Sequence, residues 1–93
     1  MVYKAIYFSG HATVQMFKRN ISVNDINVVI KSGEIIKSYP NDKPYPSFLM
    51  LGFIGSRPIH VVLSTDRDEN CYIITTYEPS LIIWNETFTI KKD

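Results

Sequence analysis

The chain has 93 residues, enough for one core and not for two, since domains run about 50–250 residues. It is 45% hydrophobic and 20% charged, which excludes a disordered or low-complexity segment and fits an ordinary globular domain. A net charge of +1 excludes the strong overall basicity of a general nucleic-acid binder, and leaves room for a local cationic patch.

Val2 to Phe8 is rich in β-formers without clean alternation, and predicts a short first strand or extended lead-in. Ser9 supplies an N-cap and Gly10 a flexible start for a helix over about His11–Arg19. At 100° per residue His11, Gln15, Lys18 and Arg19 share one arc, with Ala12, Val14, Met16 and Phe17 on the rest. Asn20-Ile21 breaks that pattern. Ser22 and Asp25 then form a capping-box-like start for a second helix to Lys31 or Ser32, with Asp25 replacing the usual Glu/Gln. Its buried stripe is Val23, Ile26, Val29 and Ile30, and Gly33 stands where a left-handed C-cap is expected.

From Gly33 the period changes to two. Strands are expected over Glu34–Tyr39, Ser47–Ile54, Ile59–Ser64 and Cys71–Tyr77. A stiff three-proline loop spans Pro40–Pro46, and turns lie at Gly55–Arg57 and Thr65–Asn70. Leu81–Ile90, with Trp84, reads as an edge strand or a packing tail, placed as an edge segment over 81–91. The fold class is therefore α+β: two N-terminal helices on a four-stranded antiparallel meander, with an extra short strand at the N-terminus, in a single domain over 1–93.

Cys71 is the single cysteine, so no internal disulfide or cysteine-pair zinc site is available, and a reducing compartment fits. No leader pattern opens the chain, and no apolar run reaches the roughly 18–20 residues that cross a bilayer. A cytoplasmic chain with no membrane partner is expected. Gly-rich phosphate loops, nucleophile elbows and metal-ligand clusters are absent from the pattern, so any chemistry is expected to run without metal or cofactor.

Two places carry chemistry. Alternation puts Ile59, Val61 and Leu63 on one sheet face and His60, Val62 and Ser64 on the other. The same counting puts Ile73, Thr75 and Tyr77 together on the neighbouring strand. In one register, His60, Thr75 and Tyr77 then converge on a single surface; the alternative is a core histidine with satisfied hydrogen bonds. On the first helix, His11 beside Arg19 is an imidazole next to a cation, able to move a proton while a phosphate is held. The alternative there is a solvated helix face.

His11-Ala12, Met16, Arg19, Ile21-Ser22 and Asp25-Ile26 open a longer pattern. It continues through Gly33-Glu34-Ile35-Ile36, Tyr39-Pro40, Asp42 and Pro44 to Arg57-Pro58-Ile59-His60-Val61-Val62. Ile74-Thr75-Thr76-Tyr77-Glu78-Pro79-Ser80 and Trp84 complete it. Together these blocks resemble a bacterial family catalogued as domain of unknown function 4258, over about residues 9–91. The resemblance implies the barnase–EndoU–colicin–RelE-like superfamily of small ribonucleases and toxins. Those domains pack N-terminal helices on an antiparallel sheet and cleave RNA without metal, through 2′-hydroxyl attack and a cyclic phosphate.

On that implication His60, His11 and Arg19 are the catalytic candidates, one histidine acting as base and the other as acid. Gln15, Lys18, Thr75 and Tyr77 are the substrate-binding candidates. RNA is the implied substrate, and an antitoxin or immunity protein the implied partner. Many relatives carry arginine where this chain has Gln15, which can bond a phosphate oxygen and brings no charge. A protein-binding module that keeps the fold without the chemistry is the alternative function. A DNA binder built on the helix corner is disfavoured by the near-zero net charge.

Overall fold

A computed structural model describes residues 1–92. Its elements are β1 (Ala5–Phe8), α1 (Gly10–Arg19), α2 (Val23–Ser32), β2 (Glu34–Tyr39), β3 (Ser47–Ile54), β4 (Arg57–Thr65) and β5 (Asn70–Tyr77). The class is α+β. One five-stranded sheet has the order β1-β5-β4-β3-β2. The expected four-stranded antiparallel meander needs correction, because the N-terminal strand joins β5 in parallel, with Ala5 opposite Asn70 and Phe8 opposite Ile73. The other three pairings are antiparallel.

Both helices lie on one face of the sheet. Ala12 and Met16 from α1, and Ile26, Val29 and Ile30 from α2, meet Met50, Ile59, Val61, Leu63, Cys71 and Ile73 in one core. Val23, expected in the buried stripe, is 51% exposed at the first position of α2, and the buried residues of that helix are Ile26, Val29 and Ile30. Ser22 and Asp25 form the capping box in full, each side chain accepting the other's backbone N–H.

The left-handed cap expected at Gly33 is found instead at the end of α1. Asn20, at φ 54°, is the left-handed cap of α1 and donates its N–H to Met16 and Phe17 carbonyls. Gly33 is extended, at φ −79° and ψ −179°. A Cβ on Gly33 would stand 2.4 Å from the Val29 carbonyl oxygen and 2.5 Å from that of Leu51. Closeness of α2 to β3, and not handedness, demands glycine there. Gly52 serves the same contact from β3, since a Cβ there would meet the Val29 side chain at 2.8 Å.

A bulge interrupts β4–β5: Val62 faces Thr75 while Leu63 faces Ile73, leaving Ile74 unpaired. It resets the alternation counted from the sequence. Ile73 and Thr76 fall opposite the core residues Leu63 and Val61, and Tyr77 falls opposite His60. Ile73 therefore does not share a side with Tyr77.

Residues after Pro79 form turns, with one isolated bridge between Trp84 and Lys91. Of the two expectations for this segment, an edge strand or a packing tail, it takes the second: it folds over the helix-free face of the sheet, where Trp84 and Phe88 meet His60. No helix among the described residues is long and apolar enough to cross a membrane.

Candidate functional site

α1 is pinned beside the end of β5 at both of its termini. Ser9 accepts the Ala12 N–H through Oγ, as an N-cap, and donates the same hydroxyl to the Ile74 carbonyl in the bulge at 3.1 Å. At the other terminus Arg57 donates to the carbonyls of Asn20 and Arg19, at 2.9 and 2.5 Å, while its Nε donates to Glu78 at 2.6 Å. Helix C-terminal carbonyls lack intrahelical partners, so a guanidinium there satisfies them and offsets the helix dipole. Neither Ser9 nor Arg57 stands out in the sequence as a site-builder. The available signal is that Arg57 and Glu78 both fall within the blocks that carry the family resemblance.

Between α1 and β5 lies an open hollow of about 210 Å³, bordered by His11, Gln15, Arg19, Thr75, Thr76 and Tyr77. His11, Gln15 and Arg19 are successive i,i+4 positions, so they form a ladder on one side of the helix. His11 Nε2 lies 3.1 Å from Thr75 Oγ1. Arg19 Nε donates to Gln15 Oε1 at 3.0 Å, so the uncharged side chain at position 15 fixes the guanidinium without neutralising it. Arg57–Glu78 is the sole ion pair among the described residues, and Arg19 therefore has no carboxylate partner there. No Asp or Glu borders the hollow. Lys18 is exposed on the same helix and lies outside this lining.

His60 is elsewhere. It is fully buried, on the face away from the helices. Its Nε2 lies 2.8 Å from the Phe88 carbonyl, which can accept and not donate, so Nε2 carries the proton. Nδ1 then accepts from the Tyr77 hydroxyl at 3.2 Å. The Trp84 ring stands edge-on to the imidazole, with centroids 4.4 Å apart. Burial pulls the His60 pKa below the usual imidazole value, against an opposing pull from the Phe88 carbonyl. The expectation that His60 and His11 face one open cleft is not met: the C-terminal segment seals His60, and both ring nitrogens are occupied.

Tyr77 connects the two places. It borders the hollow and bonds His60. Burial, followed by the neighbouring Tyr39, raises its pKa, so the phenol keeps its proton and acts as a donor. Cys71 is not a nucleophile here, because burial pushes its thiol up to about 11. Among the described residues no group of three His, Cys, Asp or Glu side chains is placed to hold a metal ion. The arrangement provides one accessible imidazole, one fixed guanidinium and a phenol held from behind.

Residues 8–78 match the model of a protein family described as a domain of unknown function, DUF4258. No curated protein and no solved structure matches the chain.

Proposed function

The chain belongs to the DUF4258 family; on that premise, and on the geometry of the hollow, we propose that it is a cytoplasmic endoribonuclease acting by 2′-hydroxyl attack without a metal. The observation that supports this reading is the open space shared by an exposed imidazole and a guanidinium with no carboxylate partner among the described residues. His11 takes the proton of the 2′-hydroxyl. The 2′-oxygen bonds to phosphorus as the bond to the 5′-oxygen breaks, and a 2′,3′-cyclic phosphate remains.

Arg19 stabilises the charge that gathers on the non-bridging oxygens, in the geometry Gln15 gives it. Thr75 orients the imidazole of His11. Water in the open hollow supplies the proton of the leaving 5′-oxygen. Tyr77, whose hydroxyl is held by His60, orients the phosphate or base, so that His60 acts through it as a positioning residue. Lys18 meets a neighbouring phosphate outside the hollow. The grouping with small ribonucleases and toxins fits this chemistry, and an antitoxin or immunity protein would then be the chain's partner.

The test is incubation of the purified chain with single-stranded RNA in the presence of EDTA. Fragments ending in 2′,3′-cyclic phosphate are expected. Cleavage that stops on chelation, or fragments with 3′-hydroxyl ends, would overturn the mechanism.

A second reading, a protein-binding module without catalysis, is favoured by one observation: Phe17 is 89% exposed on α1, with Val14 half-exposed one turn earlier. Induction in a bacterial host separates the two readings. Arrested growth with RNA fragments supports the nuclease, and unaffected growth with intact RNA supports the binder.

A further inference from the structure

The helix-free face of the sheet carries a second, larger concavity. Lys37, Leu49 and Val62 stand opposite one another on β2, β3 and β4 and form part of its floor. The C-terminal segment forms a wall with Trp84, Thr89, Ile90 and Lys91, and Tyr39 and Tyr77 complete the outline. Its volume is about 420 Å³, within the roughly 300–1,000 Å³ of ligand pockets.

Its chemistry is specific. An apolar floor and two phenol rings suit a flat, weakly polar ligand face. Two ammonium groups, from opposite elements of the groove, suit anionic oxygens. Lys37 Nζ is 5.4 Å from the Tyr39 ring centroid, which keeps the cation beside an aromatic surface. No Asp or Glu borders the groove, and neither lysine takes part in an ion pair among the described residues. Against a chain total of ten Lys/Arg and nine Asp/Glu, that is a local separation of charge. Flat apolar surface combined with anionic groups describes a nucleotide.

Tyr77 borders both this groove and the hollow at α1. We infer that this groove is a subsite for single-stranded nucleic acid, holding the unpaired nucleotide next to the phosphodiester placed at His11 and Arg19. The inference rests on the ribonuclease reading for which bond lies in the hollow, and it adds a substrate class. A base inside a walled groove has left its stack, so single strands bind and duplexes are rejected. Lys37 and Lys91 hold the backbone, and the aromatic outline accepts any base.

Trp84 is the single tryptophan and borders the groove, so its emission reports occupancy. The experiment titrates the full chain with a short single-stranded oligodeoxynucleotide, which has no 2′-hydroxyl and survives whether or not the chain is a nuclease. A saturable change in Trp84 emission is expected with the single strand and none with its duplex. In the Lys37→Ala and Lys91→Ala variants, the slope of log affinity against log salt is expected to fall by about 0.7 per lysine removed. Both lysines are exposed, so the variants fold, which a melting curve checks; Lys37→Arg restores the slope.

Equal response to duplex, unchanged slopes in both variants, or no response to the single strand would overturn the subsite. The two readings fail separately. Binding without RNA cleavage keeps the subsite and ends the nuclease, whereas RNA cleavage without a Trp84 response does the reverse.

Discussion

His60 shows how one residue's surroundings decide its role. Imidazole is the side chain that most readily moves protons near neutrality, yet this one is enclosed and spends both nitrogens on Phe88 and Tyr77. Its folded pKa lies below the ordinary 6.5, chiefly through burial. The unfolded chain therefore takes up a proton more readily than the folded one as the solution turns acidic. Stability from this group is complete above pH 6.5 and declines as pH falls below it, towards the folded pKa.

Urea midpoints across that range are expected to fall on acidification, and the fall attributable to His60 to vanish in His60→Leu. That variant is also less stable at neutral pH, by about 1–3 kcal/mol, because the Phe88 carbonyl and Tyr77 hydroxyl lose their partner. A midpoint that rises as pH drops through this window would contradict the assignment. Alternation along β4 reveals which face His60 takes. What covers that face depends on Trp84 and Phe88, whose docking leaves no periodic trace in the sequence.

At the scale of elements, α2 and β3 approach each other closely at Gly33 and Gly52. Gly33 lies between the Val29 and Leu51 carbonyls, and a methyl group there forces α2 outward. Gly33→Ala is expected to cost about 1–3 kcal/mol, the usual range for overpacking. Gly10→Ala, where nothing lies within 4 Å of a new Cβ, leaves stability unchanged or slightly raised because alanine favours helix. Paired denaturation curves check both, and equal effects at the two glycines would refute the close-approach explanation.

Much at this scale is legible in advance. Ser22 and Asp25 announce the start of α2, alternation delimits β2 and β4 to within a residue or two, and an almost entirely apolar run marks β3. Gly33 is legible as a boundary and misleading as a conformation, since glycine serves left-handed caps and close contacts alike. The bulge at Ile74 leaves no signal, because its effect lies in pairing with β4 and not in local preference.

The whole molecule assembles the candidate site from distant parts. His11 and Thr75 touch across 64 residues of sequence. Their meeting follows from the parallel pairing of β1 with β5, which ends at Phe8 and Ile73. Beyond that point Ser9 attaches α1 to the bulge, and the His11–Gln15–Arg19 ladder runs beside the last residues of β5. The ladder itself is readable from helical periodicity. The strand beside it, and the separation of His60 from it, are products of the global topology. The family match ends at residue 78, so the segment that covers His60 and walls the second groove lies outside the matched region.

Cleavage depends on the hollow at α1, and single-turnover reaction of RNA with His11→Ala tests that dependence most directly. His11 is exposed, so the variant keeps the wild-type melting curve. The cleavage rate is expected to fall about 10²–10⁴-fold, as for loss of a proton-transfer group. Cleavage by folded His11→Ala at the wild-type rate would contradict it.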